Sequence, residues 1–157
     1  MATRAKRIPS ADYETAAAVR EALRVFQRRT DAITAEHGLT SRIYQLLLMI
    51  KTGHAAPERA SLVELEERLQ LGKSTVTELV VRAERRGLVR RELDPDRRGA
   101  IRICLTSAGE RKPGKACAQL GDERRRLVEL LSQLDLDRPR RRSGSRSRRS
   151  TARPHSP

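Results

Sequence analysis

The chain has 157 residues, 37% hydrophobic and 34% charged, with a formal net charge of +14. Tryptophan is absent and Tyr13, Phe26 and Tyr44 are the only aromatic residues, which argues against a large β-sandwich or barrel, since strands favour aromatic and β-branched side chains. The longest apolar run, Leu46 to Ile50, is too short to cross a bilayer, and no secretory signal follows the basic N-terminus. Two cysteines, Cys104 and Cys117, cannot build a disulfide framework of the secreted kind. A cytoplasmic protein with a polyanionic partner fits this balance, nucleic acid ahead of a membrane surface.

Residues 1–9 are basic and expected to be loose. Ser10 is placed to cap a first helix that runs without Pro or Gly to about Glu36. Ala16, Val19, Leu23, Phe26, Thr30 and Ile33 recur at spacings of three and four and form one stripe. So narrow a seam packs either on its own domain or against a partner chain, and the two patterns look alike. Gly38 ends this helix. Thr40 or Ser41 then caps a second helix through about Lys51, with Ile43, Leu46, Leu47 and Ile50 inward. Gly53 to Arg59 reads as a loop. Ser61 and Glu64 form a capping box for a third helix, whose Leu62, Leu65 and Leu69 face inward. Leu71-Gly72 breaks it, with Gly72 suited to a left-handed turn.

Ser74 begins a fourth helix that buries Val76, Leu79, Val80 and Ala83, and Gly87 stops it. The period then changes. Leu88 to Leu93 reads as a strand, Asp94-Pro95-Asp96-Arg97-Arg98-Gly99 as a turn-rich tip, and Ala100 to Leu105 as a second strand. Ile101, Ile103 and Leu105 share one face of it, Arg102 and Cys104 the other. Thr106 or Ser107 caps a further helix, which Pro113-Gly114 is expected to interrupt. Leu120, Leu127, Leu130, Leu131 and Leu134 form the last stripe. From Arg138 to Pro157 there are eight arginines and no acid, and removing them lowers the charge from +14 to +6. That tail is expected to be disordered. It is either a plain solvated terminus or an arm adding sequence-independent phosphate contacts.

A helix, a tight turn, a second helix and a basic hairpin make a winged helix-turn-helix. The fold class expected is therefore mainly α with a small two-stranded β-wing. The DNA-binding part spans 39–105, preceded by a helix at 10–38 and followed by helices at 106–137 and the tail at 138–157. Burial of one face of the fourth helix leaves Lys73, Thr75, Thr77, Glu78 and Arg82 outward, and its small hydroxylated first turn, with Ser74, can approach base edges closely. Arg97 and Arg98 at the hairpin tip can reach a minor groove. Glu78 accepts a hydrogen bond from cytosine or pairs with Arg82 four residues on. His37, His54 and His155 are isolated, so no metal site is expected. No phosphate loop or nucleophile constellation is legible, and neither a cofactor nor an enzymatic activity is expected.

Residues 39–109 resemble the MarR family of bacterial transcription regulators. The resemblance rests on several pieces in order: Leu39-Thr40, the helix from Leu62 to Leu71, Lys73-Ser74-Thr75-Val76-Thr77 with Leu79-Val80, and Glu84-Arg85-Arg86-Gly87-Leu88-Val89-Arg90-Arg91. Asp94-Pro95-Asp96-Arg97-Arg98 and Leu105-Thr106 with Ala108-Gly109 complete it. It implies a homodimer whose terminal helices interlock, which assigns Val19, Leu23, Phe26, Leu127, Leu130 and Leu134 to the dimer interface. It implies recognition helices in successive major grooves of a pseudo-palindromic operator, and repression relieved by a small aromatic or amphipathic ligand. The ligand crevice would involve Arg42 and Tyr44, with His37 nearby; ordinary core packing is the other reading of Tyr44. The wing is one residue off the common family spacing, which leaves the roles of Arg97 and Arg98 interchangeable, and the arginine tail is not a family feature. A second functional reading is an architectural, nucleoid-type DNA binder that uses the winged helix and the tail without a ligand.

Overall fold

Helix α2 (Ser41–Lys51) sits at the centre of the computed structural model, which describes residues 9–134. The basic residues before Pro9 and the tail at 138–157 lie outside the described residues, as do the expectations placed on them. Thr40 caps α2, accepting from the Ile43 N–H at 3.3 Å. Ile43, Leu46, Leu47 and Ile50 are all buried, as their spacing predicts, and Tyr44 joins them. Burial of each such side chain is worth about 1.5–3 kcal/mol. Helix α2 packs against α1 (Ser10–Glu36), α3 (Leu62–Leu69), α4 (Lys73–Arg85), α5 (Ser107–Gln119) and a small antiparallel sheet.

That sheet has three strands in the order β1-β3-β2: β1 is Arg59–Ser61, β2 Val89–Leu93 and β3 Ile101–Leu105. The two-stranded wing expected from sequence is the β2–β3 hairpin, with Val89 opposite Leu105 and Leu93 opposite Ile101. The third strand follows the loop expected at 53–59 and takes in only its last residue, Arg59. Arg59 pairs with Cys104 and Ser61 with Arg102, so the segment before α3 uses the backbone groups on the open edge of β3. A central strand is covered more completely near its base, and Cys104 is buried although it lies opposite Ile103 on the pleat. Ile101 is 44% exposed because the hairpin has by then run beyond the core.

Ser61 caps α3 by accepting from the Glu64 N–H at 3.2 Å. The return arm of the capping box is replaced: Glu64 Oε1 accepts from the His54 N–H at 2.8 Å and pairs with Arg68 at 3.1 Å. Arg68 also donates to the carbonyls of Met49 and Thr52, at 2.6 and 3.0 Å, covering orphan acceptors at the end of α2. The left-handed residue after α3 is Gln70 (φ 53°) rather than Gly72, which has φ −68° and is the N-cap of α4. The chain turns as soon as α3 ends, and Gln70 Nε2 fixes the turn by donating to the Glu67 carbonyl at 2.5 Å.

Two long arms complete the chain. Helix α1 (Ser10–Glu36) buries only Thr30 and Thr34. Each hydroxyl donates to the carbonyl four residues back, at 2.9 and 2.8 Å, so neither is left unsatisfied. Helix α5 (Ser107–Gln119) is capped by Thr106 and runs unbroken through Pro113. The expected interruption is thus absent at Pro113-Gly114, where the proline ring is buried and its fixed φ suits a helix. The joint falls instead at Leu120, between α5 and α6 (Gly121–Gln133), and α6 packs along α1.

Candidate nucleic-acid interface

Helix α4 buries Val76, Leu79, Val80 and Ala83, the four positions its spacing predicts. It begins at Lys73, one residue before the sequence expectation. Lys73, Ser74, Thr75, Glu78 and Arg82 are exposed or half-exposed, and Thr77 is half-buried. Gly72 offers no side chain to cap the helix, so the first amides of α4 have no side-chain cap, and such an end favours anions. Glu78 Oε1 accepts from Arg82 Nη2 at 2.6 Å. Both side chains are well exposed, so the pair adds only a few tenths of a kcal/mol, but it offsets the one carboxylate on the outer face of the first two turns.

The wing tip is held by acids. Asp94 Oδ1 accepts from the Asp96 N–H at 2.8 Å and pairs with Arg102 Nη2 at 2.6 Å, while Asp96 Oδ2 pairs with the same nitrogen at 2.8 Å. Desolvation opposes ionisation of Asp94, but the Asp96 N–H and the Arg102 guanidinium outweigh it and hold the carboxyl below its ordinary range. Arg97 and Arg98 are exposed at the tip. Among the described residues, Lys73, Arg97 and Arg98 have no carboxylate partner. All three border one groove of about 950 Å³ between α3, the start of α4 and the wing, whose walls include Val63 and Ile101 and, on α3, Glu64, Glu66 and Glu67.

The two residues assigned to a ligand part company. Arg42 is exposed and Tyr44 is 4% exposed, within the core. Burial, reinforced by the neighbouring Cys117 thiol, pushes the Tyr44 phenol up to about 12. Cys117 lines a crevice of about 310 Å³ between α2, α5 and α6, together with Leu48, Lys51, Glu110, Pro113 and Arg124, but neither Arg42 nor Tyr44 lines it. Lys51 Nζ lies 2.5 Å from Glu110 and 2.6 Å from Glu58, and these bonds hold its ammonium above its ordinary range. His37 faces Gln119 at 2.8 Å, tying the end of α1 to α5.

The six residues assigned to a dimer interface lie on the α1–α6 pair. Val19, Phe26, Leu127 and Leu134 are half-buried, whereas Leu23 and Leu130 are exposed. Sequence reasoning missed Arg102 and Lys51, whose partners lie on other elements or across a turn and leave no periodic signal, and Arg68, whose Glu64 partner four residues back on the same helix was a legible signal. Among the described residues no group of three or more His, Cys, Asp or Glu side chains could hold a metal ion. No described helix is long and apolar enough to cross a membrane.

Residues 37–99 match the model of the MarR family. The sequence matches no curated protein. Solved structures share the fold. AbsC, a MarR family transcriptional regulator from Streptomyces coelicolor, is 22% identical with a TM-score of 0.69, covering 83% of this chain and 88% of that one. A mutant MarR from E. coli complexed with operator DNA is 19% identical with a TM-score of 0.61, covering 72% and 79%. CouR from Rhodococcus jostii RHA1 bound to p-coumaroyl-CoA is 27% identical with a TM-score of 0.60, covering 67% and 71%.

Proposed function

We propose that this chain, which carries a MarR family segment at residues 37–99 on the winged-helix fold of MarR regulators, is a cytoplasmic, homodimeric transcription regulator. It binds a pseudo-palindromic operator and acts as a repressor relieved by a small aromatic or amphipathic ligand. The observation that carries this reading is the set of cations Lys73, Arg97 and Arg98, without carboxylate partners among the described residues, around the uncapped start of α4. Ser74, Thr75 and Thr77 reach base edges, and the Glu78–Arg82 pair stands beside them. The operator complex of the E. coli neighbour supports the choice of duplex DNA. The ligand-bound CouR structure supports a small-molecule effector.

Footprinting on DNA that flanks the protein's own gene tests this. The expected result is a two-fold-symmetric protected site with half-sites about one helical turn apart. Titration with aromatic acids and their thioesters should then release the DNA. Protection that no such compound relieves would remove the ligand from the proposal. The charge of +14 and the arginine-rich tail favour a second reading, an architectural binder. Diffuse coverage that vanishes with modest salt would select it over the first.

A further inference from the structure

The wing carries a problem that its arginines do not solve. Asp94 and Asp96 sit beside Arg97 and Arg98, at the point that the proposed function brings closest to DNA phosphates. Two uncompensated carboxylates there would repel the duplex, and they would compete for the guanidinium groups of Arg97 and Arg98. Arg102, on β3, lessens both effects: its single positive charge is shared by the two carboxylates, which leaves the cluster with one net negative charge instead of two. Its side chain is 15% exposed and its Nη2 meets Asp94 at 2.6 Å and Asp96 at 2.8 Å. Asp94 is itself 8% exposed at the side chain, and its Oδ1 also takes the Asp96 N–H. The knot thus closes the tip through one guanidinium, and Arg97 and Arg98 have no carboxylate partner among the described residues.

We infer that Arg102 is a positioning residue for DNA binding: it occupies the two acids of the wing tip and so leaves Arg97 and Arg98 free for the duplex. The inference rests on the reading of the wing as a DNA contact. Its own content is that Arg102, whose guanidinium is taken up by the two acids of the tip, sets the charge the wing presents.

The test uses the full chain and two probes: a duplex that the wild-type chain enriches from a randomised library, and a scrambled duplex of equal length. Arg102→Gln should weaken binding of the enriched duplex about tenfold, the range of one lost arginine contact. A triple variant, Asp94→Asn with Asp96→Asn and Arg102→Gln, removes the carboxylates together with their partner and keeps an amide oxygen at position 94 as an acceptor. It should recover most of the lost affinity. A merely structural role for Arg102 would leave the triple variant as weak as the single one, and that result overturns the inference. So does wild-type affinity in Arg102→Gln where Arg97→Gln with Arg98→Gln binds poorly. If that double variant binds as the wild type does, the wing reading itself is wrong and the inference goes with it.

Discussion

A Cβ on Gly109 would stand 1.8 Å from the Leu88 carbonyl oxygen and 2.8 Å from its carbon. Both are backbone atoms, and the oxygen also accepts from the Thr106 N–H at 3.1 Å, so the strand and the first turn of α5 touch directly. Gly109→Ala forces them apart, and overpacking of this kind costs about 1–3 kcal/mol. A fall of that size in urea-unfolding free energy is the expected result, and an unchanged midpoint would show that the contact yields freely. Tyr44 makes a different kind of prediction. Its phenol is raised to about 12 by burial and by Cys117, with Arg124 acting weakly the other way. In the unfolded chain the group titrates near 10. Between those values the folded state keeps a proton that the unfolded state releases, so the stabilisation is complete below about pH 10 and is lost as pH rises toward 12. Tyr44→Phe should therefore flatten the alkaline limb of a Tm-against-pH curve. Equal slopes in the two proteins would place the titrating group elsewhere.

Helix α5 is where local sequence and packing disagree. Proline in a helix interior costs about 3 kcal/mol relative to alanine, yet the helix continues through Pro113, whose ring is buried. Burying about two ring methylenes returns roughly 1.6 kcal/mol, less than the helix penalty. Pro113→Ala should then stabilise the chain by about 1.4 kcal/mol, the difference between the two. Loss of stability, read from the same denaturation series, would mean that the ring matters more to the core than its carbon count suggests. Features that rest on neighbours along the chain were legible: the caps at Thr40, Ser61 and Thr106, the glycine stop at Gly87, and the four buried positions of α4. Strand β1 was not, because three residues carry too little alternation and pair only where the edge of β3 lies open. The outer face of α4 and the wing tip could be named from periodicity and turn residues. Arg102 could not, since its partners at 94 and 96 meet it only after the hairpin closes.

On the scale of the whole chain, burial is unequal. The core formed by α2, α3, α4 and the sheet is closed, whereas α6 contains no buried residue and α1 only two, both threonines. Leu23, Val25, Val128 and Leu130 remain exposed on these arms at 44, 50, 66 and 50%. Exposed apolar side chains on two packed helices suit association, and the proposed occupant is a second copy of the same arms. The consequence for DNA is larger than for stability. In the proposed dimer, two lobes joined through α1 and α6 would bind a two-fold site with an effective concentration that a lone lobe lacks, which multiplies affinity by about a hundredfold or more. Leu23→Glu with Leu130→Glu places charge on both arms and leaves the closed core untouched. Light scattering should show a dimer for the wild type and a monomer for this variant at micromolar concentration. The circular dichroism of the lobe should be retained, and affinity for the two-fold duplex should fall by the factor above while affinity for a single half-site stays the same. A variant that remains dimeric would move the interface off these two leucines. A monomer that still binds the two-fold duplex at full strength would show that the lobes act singly, and would favour the charge-driven reading of the chain.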